Sequence, residues 1–438
     1  MFRRLWSGLP KDPEFPSDLK ELGYFVNEKD EIRSIENPDN YFKFFLTRNP
    51  RHNERQRYAM NESCEKEVHT CLESLGLEKV LLPLGTASSS EPHVPIFASA
   101  DLKTKSRVVL IFGETFQDLG VLAHRVLGGP GGVDRGSLVS VVRALQKQKS
   151  GPDDDDDDAA APGIIVANMG QLIWSPELKR ALCQVGAEAA SMPSAVHGGM
   201  LITDEKNRVP ENRTAKDHVR YVFEKVVPAY TRPDAALEII GVGDGADIVE
   251  DYLDWGVTWA RLQGRVRCFA ILGGFKAVDE MQCDSFKAFL REKACAWVIA
   301  SDPLGTLISG PDGNPHTTTF TRHGCPVYSG GEPYYIECLL IKARVAVLDW
   351  LQAVALAPKG STHYMNPIVE CTYADEKLPA SMDPDWSKWQ DAPLDQQPPV
   401  DFGEADPRAG ISDDEEESGG QGEKKLEGDD VDEDEDGA

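Results

Sequence analysis

The chain has 438 residues, 41% hydrophobic and 27% charged, with 46 Lys and Arg against 73 Asp and Glu and a formal charge of −27. That length fills one large α/β domain or two medium ones, with a sizeable core either way. Residues 401–438 hold 17 acidic and 3 basic side chains and residues 153–158 are six consecutive aspartates, which leaves −7 on the remaining body and argues against a general nucleic-acid binder, since phosphate affinity needs a basic face.

Residues 1–75 read as an N-terminal extension. Gly23-Tyr24-Phe25-Val26-Asn27 and Tyr41-Phe42-Lys43-Phe44-Phe45 are short aromatic, strand-like runs separated by the turn Asn37-Pro38-Asp39-Asn40, and residues 53–75 read as a helix. The bases Lys43, Arg48, Arg51, Arg55 and Arg57 are read as a solvated helix face in preference to a phosphate or partner contact. From Leu77 short apolar runs alternate with amphipathic helices. Strands are expected at 80–84, 94–98 and 108–112, a helix at 133–147 and a strand at 164–168. Residues 213–227 form a helix with Val219, Val222, Phe223, Val226 and Val227 on one face; Thr214 and Asp217 cap it and Pro228 ends it. Strand 237–242, helix 246–253, strand 266–272 and helix 284–293 follow, then short strands at 297–300 and 326–328 and a long apolar helix at 334–356.

Strand then helix, repeated, implies crossover units: a three-layer α/β architecture over residues 76–360, with a mostly parallel sheet, helices on both faces and an antiparallel edge from the early strands. The aspartate run falls in an exposed acidic insertion at 151–162, because six adjacent like charges cannot be buried. Residues 361–400 read as an irregular segment and residues 401–438 as a disordered acidic tail.

Chemistry points to Gly241-Val242-Gly243-Asp244-Gly245-Ala246, a glycine-rich turn between strand and helix. As G-x-G-x-x-A it fits a dinucleotide fingerprint, but the next strand ends in Gly273-Gly274 with no ribose-binding acid, and Asp244 puts a negative charge where a pyrophosphate would sit. As G-x-S-x-G it fits the nucleophile elbow of α/β-hydrolases, except that the nucleophile slot is Gly243; Asp244, one position late, offers only its backbone N–H to an oxyanion hole. The acid slot shows Gly273-Gly274-Phe275-Lys276, with Asp279 nearby, and the base slot Val327-Tyr328-Ser329-Gly330-Gly331-Glu332 has no histidine; His323 precedes it. Acyl chemistry needs an activated nucleophile and its base together, so no catalytic residue is assigned: Gly241, Gly243, Asp244 and Gly245 form a vacant elbow.

His197-Gly198-Gly199 follows the wrong strand for an oxyanion loop, whereas Gly113-Glu114-Thr115 occupies that position. Gly128-Gly129-Pro130-Gly131-Gly132 lacks the Lys-Ser/Thr ending of a phosphate loop. Ser329 is read as a strand-end turn, and Ser412 and Ser418 as acidic-tail serines that an acidophilic kinase would favour. Nine cysteines without C-x-x-C and nine histidines without H-x-x-x-H give no metal site and point to reduced thiols of cytosol or nucleus. No membrane segment, signal peptide or cofactor is expected.

Gly23-Tyr24-Phe25-Val26-Asn27, Asn53-Glu54-Arg55, Ile240 through Ala246, Ala296-Trp297-Val298, Ser301-Asp302-Pro303 and Gly324-Cys325-Pro326-Val327 together resemble the fungal Argonaute-binding protein two domain family, which also occurs at the C-terminus of class II fungal histone deacetylases. The likeness extends over residues 1–360. It implies an α/β-hydrolase-like domain used for interaction, with Argonaute and its small-interfering-RNA chaperone complex, or with histone deacetylase or histones, in RNA-directed heterochromatin silencing. RNA would be met only through the partner, in nucleus and cytoplasm. Animal relatives carry a serine in a His-Ser-Tyr-Gly frame at the position of Gly243. A serine-type hydrolase with a displaced nucleophile and a nucleotide-binding protein using residues 241–246 remain the alternatives.

Overall fold

A computed structural model describes residues 8–152, 161–358 and 364–369. The aspartate run at 153–158, most of 361–400 and the 401–438 tail lie outside the described residues.

The strands are β1 Tyr24–Val26, β2 Ile32–Ser34, β3 Leu77–Leu82, β4 Val94–Ser99, β5 Arg107–Phe112, β6 Gly163–Val166, β7 Ile173–Ser175, β8 Arg180–Leu182, β9 Ala236–Val242, β10 Val266–Leu272, β11 Ala294–Val298, β12 Leu307–Ser309 and β13 Val327–Ser329. A nine-stranded sheet runs in the order β12-β13-β11-β10-β9-β5-β6-β4-β3. From β13 to β6 the neighbours are parallel; β4 and β3 form the antiparallel edge that the early strands implied, and β12 closes the other edge antiparallel. This is the α/β-hydrolase-like architecture.

Strands β5, β9 and β10 read as almost unbroken apolar runs because helices cover both their faces. Alternation divides their side chains between two cores. Val109, Ile111, Ile240, Val242, Ala270 and Leu272 pack under helices Pro50–Ser74, Val139–Leu145 and Leu339–Leu356. Val108, Leu110, Phe112, Leu237, Ile239 and Ile271 pack under helices Ala215–Tyr221, Asp244–Leu253 and Asp284–Lys293. Helix Pro50–Ser74 starts at Asn49, whose side chain accepts Arg51 N–H at 3.0 Å, and Pro50 at its first turn is missing only an N–H the helix would not use. Its residues Met60, Cys64, Val68 and Leu72, spaced four apart, enter the first core.

Four expectations change. Residues 41–45 form no strand: β1 pairs with β2, because the Asn27 side chain accepts Lys29 and Glu31 N–H and folds the chain back there, while Tyr41 lies under the Arg33 guanidinium at 3.6 Å. Arg51 and Arg55 are no solvated face. Arg51 pairs with Asp12 at 2.6 Å and donates to the Ala190 carbonyl, and buried Arg55 donates to the Ala189 carbonyl at 2.6 Å. The helix at 133–147 is two helices, Gly132–Gly136 and Val139–Leu145, broken at extended Ser137, whose hydroxyl donates to Val133 O and accepts Val139 N–H. Pro228 does not end its helix: residues Val222–Val226 widen to a π turn, and Val227–Tyr230 continues helical. The wider turn removes the clash between a proline ring and the carbonyl four residues back.

At the opposite end of the sheet from the glycine turn, fully buried Arg107 on β5 meets fully buried Glu238 on β9 at 2.6 Å and also donates to Lys149 O and Gln148 Oε1. One partner left alone would be an uncompensated buried charge. Glu238→Ala is expected to cost about 3–5 kcal/mol in guanidinium unfolding, and the double change Arg107→Met with Glu238→Leu much less.

Candidate functional site

Strand β9 ends at Val242, and at Gly243 the backbone turns with φ 53° and ψ −128° into helix Asp244–Leu253. That conformation is strained for a residue with a Cβ. Gly245 is needed for space: a Cβ there would lie 2.3 Å from Gly113 O, where the loop after β5 crosses the helix start. Gly241 similarly abuts Ala246, 2.6 Å from where its Cβ would stand. The glycine turn is therefore a tight strand-to-helix corner on the central strand, facing the loop at Gly113-Glu114-Thr115.

What fills the nucleophile position was not legible in the sequence. A Cβ on Gly243 would lie 2.7 Å from Oε1 and 2.8 Å from Cγ of Glu114. The glutamate thus occupies the space a serine side chain would take. Asp244, exposed, accepts a hydrogen bond from Thr115 Oγ1 at 2.5 Å and ties the loop to the helix start. Glu337 approaches from the turn between β13 and helix Leu339–Leu356, paired with Arg125 at 3.0 Å, and that guanidinium stacks on Tyr335 at 3.6 Å. Half-buried Glu114 has its carboxyl pushed up to about 7, first by desolvation and then by the charges of Glu337 and Asp244, against a smaller pull from Gln117. Beneath Gly113 and Glu114 the cavity is about 20 Å³, space for a water and not for an acyl group.

The other triad slots are filled by structural contacts. Glu332, at the base slot, is buried and its Oε1 accepts Tyr334 and Tyr335 N–H. Buried Ser329 donates to Asp302 O at 2.7 Å and accepts Gly331 N–H, as a strand-end turn residue does. Asp279 is exposed and pairs with Arg322 at 3.3 Å. His323 is fully buried, its imidazole pushed down to about 4 by desolvation. Two further arrangements bring a hydroxyl or thiol near a histidine or carboxylate. Ser194 Oγ meets His197 Nδ1 at 2.8 Å, but three residues apart in a loop, not on a strand-to-helix corner. Buried Asp118 takes His124 Nε2 at 2.9 Å. Burial pushes the Asp118 carboxyl up, but His124, Cys183 and Arg180 outweigh it and hold it below its usual value. Cys183 is held by that same carboxylate, and burial first and then Asp118 push its thiol well up, so it is no thiolate nucleophile. Among the described residues no group of three or more His, Cys, Asp or Glu is placed to hold a metal, and no described helix is long and apolar enough to cross a membrane.

Two outcomes test this geometry. Gly243→Ser alone is expected to destabilise the fold by about 1–3 kcal/mol, from backbone strain and collision with Glu114, and to give no hydrolysis of p-nitrophenyl acetate. Glu114 binds a proton in the folded chain that it has lost in the unfolded chain between its ordinary 4.5 and about 7, so its contribution to stability falls as pH rises through that window. Glu114→Gln removes the dependence: its melting temperature should gain on the parent by a few degrees between pH 5 and pH 8, in thermal unfolding at fixed salt.

With the geometry in place, comparison with known proteins is informative. The Arb2 domain family matches residues 15–304. The chain is 31% identical over 345 residues to the cotranscriptional regulator ARB2A homolog of Xenopus tropicalis, covering 73% of this chain and 75% of that protein. It is 24% identical over 321 residues to the human cotranscriptional regulator ARB2A, covering 67% and 73%. Among solved structures it is similar to an alpha-beta hydrolase from Vibrio vulnificus, at 9% identity and TM-score 0.29, over 70% of this chain and 95% of that one. It is also similar to a Pyrobaculum calidifontis esterase, at 12% identity and TM-score 0.27, over 72% and 96%. The chain belongs to the Arb2 domain family.

Proposed function

We propose that this chain is a non-catalytic interaction module that works in RNA-directed gene silencing, binding Argonaute with its chaperone-complex subunits, or a histone deacetylase and its histone substrates. The observation that carries the non-catalytic part is the elbow. The corner that presents an attacking oxygen in a hydrolase has a glycine there, and a carboxylate from a neighbouring loop fills the gap. The Glu114 carboxylate stands on the loop after β5 rather than on the strand-to-helix corner, and the base slot carries Glu332, held by backbone N–H groups, with no imidazole to activate a water. The regulatory part is supported by the relatives' description as cotranscriptional regulators, which also favours a nuclear site of action, with the cytoplasm as the place where Argonaute loading would be met. The acidic balance of the chain fits contact with RNA through a partner rather than directly.

Affinity purification of the tagged full chain from a cell that expresses Argonaute and class II deacetylase should enrich one of them over an untagged control. Recovery of neither removes the silencing assignment. In parallel, a fluorophosphonate probe is expected to leave every serine unlabelled; stoichiometric labelling at one serine would make the protein a hydrolase with a displaced nucleophile.

A further inference from the structure

The C-terminal edge of the sheet exposes large apolar side chains after four strands that flank β9 on its two sides. Phe116 (62% exposed) follows β5, Phe275 (59%) follows β10, Leu304 (45%) follows β11 and Tyr334 (76%) follows β13. Side chains packed against glycines link three of these ends to the elbow helix and to one another. Gly274 abuts Asp247 and Ala246 of the elbow helix, Gly273 abuts Ile336, and Gly331 abuts Leu304. Beside Phe275 a hollow of about 280 Å³ is walled by Gly274, Ile299, Thr318 and Phe320. The middle of this apolar ring is acidic: Glu114 and Asp244 sit at the elbow with Glu337 close enough to act on Glu114. The cations at this edge are already engaged, Arg125 by Glu337 and Tyr335, and Arg322 by Asp279 and the Phe320 ring.

An apolar hollow rimmed by exposed aromatic side chains is suited to an interaction, and such side chains supply most of the binding energy when covered. The charge selects the occupant. An acidic peptide or a nucleic acid would bring like charge against the elbow carboxylates, whereas a cation would find unneutralised acceptors there. We propose that this edge binds a basic, amphipathic peptide segment of a partner protein, with a Lys or Arg side chain reaching Glu114 and Asp244 and an apolar side chain entering the hollow beside Phe275. The assignment rests on the reading of the chain as an interaction module and gives that module its docking surface. In this arrangement the vacated elbow has become the cation pocket of a peptide site.

The test uses the full chain and fluorescence anisotropy with a short fluorescein-labelled Lys/Leu peptide, with Lys/Ser and Glu/Leu peptides of the same length as controls. The Lys/Leu peptide should bind most tightly. Asp244→Asn and Phe275→Ser should each weaken it on the order of tenfold, while Leu356→Ala, exposed near the opposite end of the sheet, should leave it unchanged. The Lys/Ser peptide measures what charge attraction to the acidic tail contributes, and that contribution is subtracted for every variant. In the unmutated chain the peptide should slow amide hydrogen exchange at residues 113–116 and 273–276, which guards against variants that fold poorly. Equal binding of Lys/Ser and Lys/Leu peptides, unchanged affinity in both edge variants, or no protection at those amides overturns the proposal. The two readings fail separately. Partner recovery that survives Phe275→Ser rejects this surface and leaves the module standing. Edge-dependent peptide binding with no partner recovered rejects the silencing assignment alone.

Discussion

Everything at the functional end of this molecule depends on one tight crossing, where the loop leaving β5 passes over the start of helix Asp244–Leu253. The Gly113 carbonyl lies so close that Gly245 has no space for a side chain, and Gly243 turns the chain through a left-handed conformation to begin the helix. The crossing follows from topology. Strands β5 and β9 are neighbours in the sheet, paired Phe112 to Gly241, though they lie far apart in the chain. Two parallel strands in register release their following loops at the same edge, and because their crossovers step in opposite directions along the sheet the chain diverges there to opposite layers, Val139–Leu145 on one and Asp244–Leu253 on the other. The corner is therefore a consequence of the fold and persists whether or not chemistry is done on it.

Placing Glu114 at that corner sets two effects against each other. The side chain fills a void beside Gly243, and a filled void keeps dispersion contacts that an empty one loses. Yet a methylene chain would fill the space without the cost of desolvating a carboxylate next to Asp244 and Glu337, and the raised Glu114 pKa is the measure of that cost. The nearby charges are not balanced locally, since Arg125 is directed to Glu337 and Lys276 to Asp251. Packing alone does not account for an acid here. An acidic centre inside an exposed aromatic rim is costly for an isolated domain and is offset when a cation arrives.

Much of the fold could be read from the chain because its central strands are continuous apolar runs punctuated by glycine. Strands β5, β9 and β10 and helices Asp284–Lys293 and Leu339–Leu356 fall within a few residues of where periodicity puts them. The three-residue strands β2, β7, β8 and β12 were invisible, since segments so short exist only through pairing with a partner that sequence order does not identify. Breaks inside helices were missed for a similar reason. Ser137 sits in a helix-compatible pattern, but Gly136 must pass within 2.4 Å of Leu127 N, measured from the Cβ it lacks, and this close approach bends the chain. Arg51 and Arg55 looked solvated because the groups that hold them, Asp12 and the carbonyls at 189–190, belong to remote parts of the chain.

The candidate site divides along the same line. The corner is a local motif, Gly-x-Gly-x-Gly, and the strand before it and the helix after it were legible from periodicity and glycine spacing alone. Its occupant was not, because Glu114 and Asp244 are joined only through the loop crossing, and the Thr115 to Asp244 hydrogen bond spans 129 positions of sequence. A glycine in the nucleophile slot is, from sequence, only the absence of an oxygen. In three dimensions it is also a space, and what enters that space decides whether the corner is an empty catalytic relic or a surface with its own chemistry. Here a carboxylate enters, and an edge that in a hydrolase would stabilise developing negative charge on a substrate becomes one that repels it. Under the proposed reading, that inversion of sign weighs against acyl transfer more than the missing serine does. Restoring a hydroxyl would still leave the reacting centre facing three acids.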